Sequence, residues 1–243
     1  MRGNERRAHR DVRAGARMEG GRWTPYPMEG GRWVAGAGFA YVAAWLIGLA
    51  IGMATSSPAP TDAIQKIEAY FRAQREAAMI QAYFLDGLAG AALIVFAAAL
   101  HSALRRFEGE RATVSSILFG AGVAAGSVSL LQGLFTQVLA DHVAAMGNLA
   151  TTRALFDLNG EGDTYKLLAL GVFIGATALL TLRNGALPQW LGWLGAVLAP
   201  LLVIAGWTFA LSASTQLAAY TVLLLVLLIW VAAIGVVSLR RAA

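Results

Sequence analysis

The chain has 243 residues, is 58% hydrophobic and only 14% charged, and carries a formal net charge of +5. A soluble domain usually carries about 25% charged residues, and the charges here are segregated between long uncharged runs, so a soluble domain is excluded in favour of a polytopic membrane protein. With no cysteine in the chain, disulfides, thiolate catalysis and Cys-ligated metals or clusters are excluded outright.

Residues 1–33 form a basic Gly/Arg-rich leader in which the hexapeptide MEGGRW occurs twice, at Met18–Trp23 and Met28–Trp33. Its basic region is too long for a cleavable signal peptide, and no short apolar core leads to a small-residue cleavage site. Glycine pairs and Thr24-Pro25-Tyr26-Pro27 disfavour helix, so the stretch is expected to be extended. Met1, Met18 and Met28 all remain open as the translation start. Trp33 stands where an interfacial anchor belongs.

A six-helix transmembrane domain is expected over 34–241, making the fold class all-α. Spans long enough for a ~30 Å hydrocarbon core are read at about Val34–Met53, Ala77–Leu104, Ala112–Ala140, Tyr165–Leu182, Trp190–Leu211 and Leu217–Leu239. Fourteen of the nineteen Lys and Arg residues fall on one side if the N-terminus is cytoplasmic, and an even span number puts the C-terminus there too. Both termini are therefore expected in the cytoplasm. The pI near 10 comes from residues flanking the spans, which points to topology and away from nucleic acid. Arginine far outnumbers lysine and alanine is abundant, which suggests a bacterial chain in the cytoplasmic membrane, with the lipid bilayer as its medium.

On the outside, Thr61 or Asp62 is expected to cap an amphipathic helix over about 61–76, either at the interface or continuous with the second span. A second outer loop is expected at about 141–164, with a short helix at Thr151–Leu158 ended by Asn159-Gly160. The inner loops are short. Pro188 opens the fifth span, with Trp190 and Trp193 as inner interfacial anchors.

Asp86 is the acid that falls well inside an apolar span. Counting along the antiparallel helices places Gln132 and Trp45 at a similar depth, with Tyr83 and Gln137 nearer the outside. These are the candidate ligand or proton site; the competing reading is an Asp that locks two helices together. His101 and His142 fall at opposite ends of their spans, which disfavours haem, and HExxH, GxSxG, P-loop and GxGxxG patterns are lacking. Asp157 to Asp163 resembles the start of a calcium loop, but Leu168 stands where the bidentate Glu belongs, so an acidic turn is expected. No catalytic residue, metal site or cofactor emerges. Gly48/Gly52, Gly122/Gly126 and Gly171/Gly175 mark packing faces, and Pro200 is expected to kink the helix of the fifth span.

Three segments carry a resemblance: PAPTDAIQKIEAYFRAQR before the second span, RRFEG after it, and RNGALPQWLGWLG opening the fifth. Over Trp33 to Arg241 the chain resembles uncharacterised multi-span membrane proteins of actinobacteria and similar bacteria. That resemblance implies six helices and carries no catalytic residue. Two non-enzymatic functions are weighed ahead of a third, a lipid-modifying enzyme, which would need convergent His, Asp or Ser groups at one interface and finds the single neighbouring pair Asp141 and His142. One is a non-catalytic accessory or scaffold subunit that packs against another membrane protein or a second copy of itself. The other is a small transporter or ligand-binding protein using the layer around Asp86, which a polar cavity reaching Asp86 from outside would favour.

Overall fold

A computed structural model describes residues 16–19, 22–25, 30–109, 112–209 and 217–242. Short strands β1 (Ala16–Glu19) and β2 (Arg22–Pro25) pair antiparallel, with Met18 opposite Trp23. Gly20 and Gly21 of the first MEGGRW copy and Met28 and Glu29 of the second lie outside the described residues.

Helices α1 (Gly31–Thr55), α2 (Ile64–Ala73), α3 (Arg75–Ala82) and α4 (Ala89–Leu104) are followed by α5 (Thr113–Val138), α6 (Leu149–Asn184), α7 (Gln189–Phe209) and α8 (Leu217–Ala242). A π-helical turn at Tyr83–Leu88 joins α3 to α4 in one rod, and a second at Leu139–Val143 extends α5. Six of the resulting rods are long and apolar enough to cross a membrane, and the chain is a multi-pass membrane protein.

Each rod packs on its sequence neighbour and the sixth returns to the first, closing a ring. Gly31 lies against the Ser238 carbonyl, so the first rod begins and the last ends at the same end of the bundle. Arg105, Arg106, Arg183, Arg240 and Arg241 gather there. So do Trp33, Trp190 and Trp193, all exposed, as interfacial indoles should be. Phe96, Phe173 and Trp230 fill the centre of the ring in aromatic contact, with centroids 6.0 and 6.4 Å apart. The buried Trp230 indole donates to the Leu191 carbonyl at 3.0 Å. Phe39, Ile47, Val95, Leu131, Val172, Val197 and Ile229 form part of an exposed apolar belt, which a bilayer covers and water would not.

Small residues set the helix spacing. A Cβ at Gly90 would meet the Gly126 carbonyl at 2.8 Å and one at Gly126 would meet the Gly90 carbonyl at 2.7 Å, so these two backbones touch. Gly48 faces Leu85, Gly52 faces Gln81, Gly122 faces Ala97, and Gly171 faces Ala199 and Val203, with Gly175 also against Ala199. All six glycines of the three spaced pairs thus lie against neighbouring rods within this chain.

Rod length creates a second layer. At 1.5 Å per residue the 36 residues of α6 extend for about 54 Å, against a core of ~30 Å. The excess emerges at the end opposite the arginines, as a cap built from α2, α3, the end of α5 and the first half of α6. Its own apolar core holds Ile67, Phe71, Ala78, Leu139 and Val143, with Leu155 and Phe156 packed against it.

Three sequence expectations change here. The loop expected at 141–164 is largely helix: α6 starts at Leu149, where Asn148 caps it by accepting from the Thr151 N–H at 3.1 Å. The short helix at Thr151–Leu158 does not stop at Asn159-Gly160 but runs on into the membrane. The amphipathic segment is a separate helix that breaks at Gln74 and buries Ile67 and Phe71 on protein, not in the lipid interface. Ala63 occupies its N-cap without a side-chain bond, and Asp62 accepts from Ala59 instead, at 2.8 Å.

Candidate functional site

Asp86 lies in the π-helical turn of the second rod. Such turns widen the helix by one residue and commonly occur at functional sites. Gly133 on α5 makes the room: a Cβ there would come 3.2 Å from that of Asp86. The next residue, Gln132, is buried and reaches α6. Its Nε2 donates to the Asn159 carbonyl at 2.7 Å and to Asp163 Oδ1 at 3.1 Å. Gly162 permits that approach, since a Cβ at that position would be 2.9 Å from Gln132 Cγ.

Lys166, one helical turn beyond Asp163, completes the cluster. Its ammonium lies 2.6 Å from Asp163 Oδ1, donates to Gln132 Oε1 at 2.7 Å, and stands 4.0 Å from Asp86 Oδ1. Tyr220 on α8 hydrogen-bonds Asp163. Two carboxyl groups and one amine from two rods therefore meet the buried Gln132 of a third, with Asp163 and Lys166 half-buried and hydrogen-bonded to Gln132 and Asp86 standing beside them. Counting about twenty residues, the thickness of the hydrocarbon core, from Arg105, Arg183 and Arg240 leads to Leu85, Asp163 and Tyr220. The cluster therefore lies about one core thickness, ~30 Å, from the arginine end, a depth at which charged groups cost less than at a bilayer's centre.

Above it lies a cavity of about 660 Å³ between the loop after α1, α2, α3 and the first half of α6. Ser57, Thr61 and Glu161 stand at its exposed rim; Tyr70, Phe71, Leu85 and Phe156 wall it; Asp86 and Asp163 lie at its floor. Arg153 braces one wall, held by Asp157 at 2.8 Å and by the Pro60 carbonyl at 3.2 Å. Tyr70 ties α2 to the loop through hydroxyl contacts of 3.0 Å with Thr55 and Ser57, and Ser57 donates to Gln81 at 3.0 Å. Across the cap, Arg72 donates to the Ala144 carbonyl at 2.7 Å and Arg75 pairs with Asp141.

The structure thus brings Asp86 and Gln132 into one group and leaves the other three candidates outside it. Trp45 packs against the apolar core. Tyr83 is exposed and edges onto Phe84. Gln137 has no polar partner among the described residues. Asp163, Lys166, Asn159 and Arg153 were missed. Asn159, Asp163 and Lys166 recur at intervals of four and three, one face of a helix, a signal hidden by reading the segment as a loop. The calcium-like segment is helical; Asp157 is taken by Arg153 and Asp163 by Lys166, and no set of three metal-binding side chains occurs among the described residues.

Two carboxylates outside the spans show ordinary surface electrostatics. The Lys66 ammonium, 2.8 Å away, holds Asp62 below its usual range. Burial pushes Glu108 up, but donation from the Ser115 N–H at 2.8 Å and from the Val114 N–H outweighs it and lowers the net value. Glu108 thereby caps α5, whose N-cap residue is the left-handed Ala112 with no side-chain bond of its own.

No curated protein and no solved structure matches the chain. A family described as a domain of unknown function, DUF4386, matches residues 34–239, which take in all six membrane rods and the cap. The chain belongs to that family.

Proposed function

We propose that this protein binds a small molecule in the cap cavity, as a transporter or a ligand-binding membrane protein. We also propose that both termini face the cytoplasm of a bacterial cell, so that the cavity opens outward. The observation that carries the reading is the polar cavity itself. Its volume falls within the roughly 300–1,000 Å³ of small-molecule sites, and it runs from an exposed rim to a buried carboxylate. The arginine bias at the opposite end supports the orientation.

The accessory-subunit reading draws no support from the described residues. Its glycine pairs face neighbouring rods of the same chain, and lipid accounts for the exposed apolar belt.

Gly160 lines the cavity, and a Cβ there meets nothing within 4 Å, so Gly160→Trp would fill the space without displacing backbone. Thermal unfolding of the purified protein in maltoside micelles, screened against small soluble cations, anions and neutral compounds, tests the proposal. At least one compound should raise the melting temperature of the wild type and not of G160W. No such compound of any charge would defeat the reading.

A further inference from the structure

We infer that the ligand of this cavity carries an ammonium group on an apolar stem, and that the ammonium docks on Asp86. The inference rests on the binding-pocket reading above and names the chemistry it would accept.

Asp86 is 7% exposed, lines the cavity and accepts no hydrogen bond among the described residues. An ionised carboxylate offers about four acceptor sites, and a buried one left unpartnered is costly. The nearest cation does not fill that need. Lys166 is engaged by Asp163 and Gln132 at 2.6 and 2.7 Å and stands off Asp86 at 4.0 Å. A second ammonium entering from the cavity could make the short, charge-assisted bond that Lys166 does not.

The remaining lining has the same sign preference. Its cation, Arg153, is engaged by Asp157 and Pro60, whereas Glu161 at the rim has no ion pair among the described residues. An anion would meet carboxylates at mouth and floor with no open cation to receive it. A bare metal ion is disfavoured because the acids are dispersed, with no set of three ligands among the described residues. Tyr70, Phe71 and Phe156 supply aromatic faces, which attract ammonium groups and cover an apolar stem.

The same chemistry has two sources, a soluble amine or the ethanolamine headgroup of a lipid, since the floor lies at the bilayer edge. Calorimetric titration of the full chain in maltoside micelles tests the class with three matched probes: phenethylammonium, 3-phenylpropanol and 3-phenylpropionate. Phenethylammonium should bind, and the alcohol and carboxylate should bind at least tenfold more weakly. D86N should weaken the ammonium at least tenfold, F71L about three- to tenfold, and G160W should abolish its binding. If D86N fails to fold, F71L and G160W still decide. Phosphatidylethanolamine added to the micelles should block the probe if the source is a headgroup. If it does not block, while phenethylammonium binds through Asp86, the source is a soluble amine. Binding of the alcohol or carboxylate as tightly as the ammonium, lost in G160W, would overturn the ammonium inference and leave the pocket reading standing. So would a D86N affinity equal to wild type. Failure of all three probes to bind would overturn the inference, and the broader charge screen would then decide the pocket reading separately.

Discussion

Replacing Lys166 by methionine probes whether the three-rod cluster holds the cap to the membrane bundle. The side chain is 13% exposed and its ammonium serves Asp163 at 2.6 Å, Gln132 Oε1 at 2.7 Å and, at 4.0 Å, Asp86. Methionine keeps most of the volume and removes the charge, leaving Asp163 without its cation and the Gln132 oxygen without a donor. Breaking a fully buried pair from one side costs about 3–5 kcal/mol, because the surviving charge is uncompensated; with Asp163 22% exposed, solvent screening puts the expected loss at or below the lower end of that range. Removing both partners costs far less. The asparagine amide oxygen of the double variant still accepts from Gln132, so K166M/D163N should recover more than half of the K166M loss. Thermal unfolding in maltoside micelles followed by circular dichroism, for both singles and the double, gives the coupling directly. A K166M loss below about 1 kcal/mol, or a double variant as unstable as the sum of the singles, would refute the claim that this ammonium compensates a buried carboxylate.

Four further outcomes follow from contacts elsewhere. Gly126→Val should destabilise by at least 1–3 kcal/mol, the roughly expected cost of overpacking, because its Cβ would lie 2.7 Å from a carbonyl oxygen that cannot move freely. Gly120→Ala, whose Cβ meets nothing within 4 Å, should be neutral or stabilising by up to about 1 kcal/mol; unfolding midpoints of the pair check both. Glu108→Ala should cost about 1 kcal/mol by loss of the α5 cap, toward the low side of the capping range because the group is solvent-screened. Since Glu108 is held below its ordinary 4.5, its contribution should be complete above that pH and disappear as pH falls through the lowered value. A wild-type and E108A difference that is unchanged on acidification would contradict the assignment. Trp230→Phe removes the donor to the buried Leu191 carbonyl and should cost about 1–3 kcal/mol, read from the same unfolding curves.

The membrane rods were legible because a run of about twenty apolar residues has few alternatives. Their partners at the cap were not, and the reason lies in particular residues. Gly160 and Gly162 amid Asp157, Glu161 and Asp163 read as a turn, since glycine and acids favour turns when nothing else constrains them. In the fold, Gly162 is required by the approach of Gln132, and Asp157 and Asp163 are matched by Arg153 and Lys166. Tertiary contacts override the local preference, and the helix continues. Depth counting located Asp86 and Gln132 because both lie on rods correctly identified. It could not say which way Trp45, Tyr83 or Gln137 faces, since depth leaves rotation about the helix axis undetermined. That count measured depth from the outer start of the second rod, whereas counting from Arg105 at the arginine end puts Asp86 about nineteen residues away, near the far edge of a ~30 Å core.

The absence of cysteine makes the central claim, an outward cavity that reaches Asp86, directly measurable by single-cysteine labelling. D86C should react in intact cells with the impermeant reagent 2-(trimethylammonium)ethyl methanethiosulfonate, and D86C/G160W should not. Modification only after the membrane is opened, or equal modification with and without the tryptophan, would contradict the account.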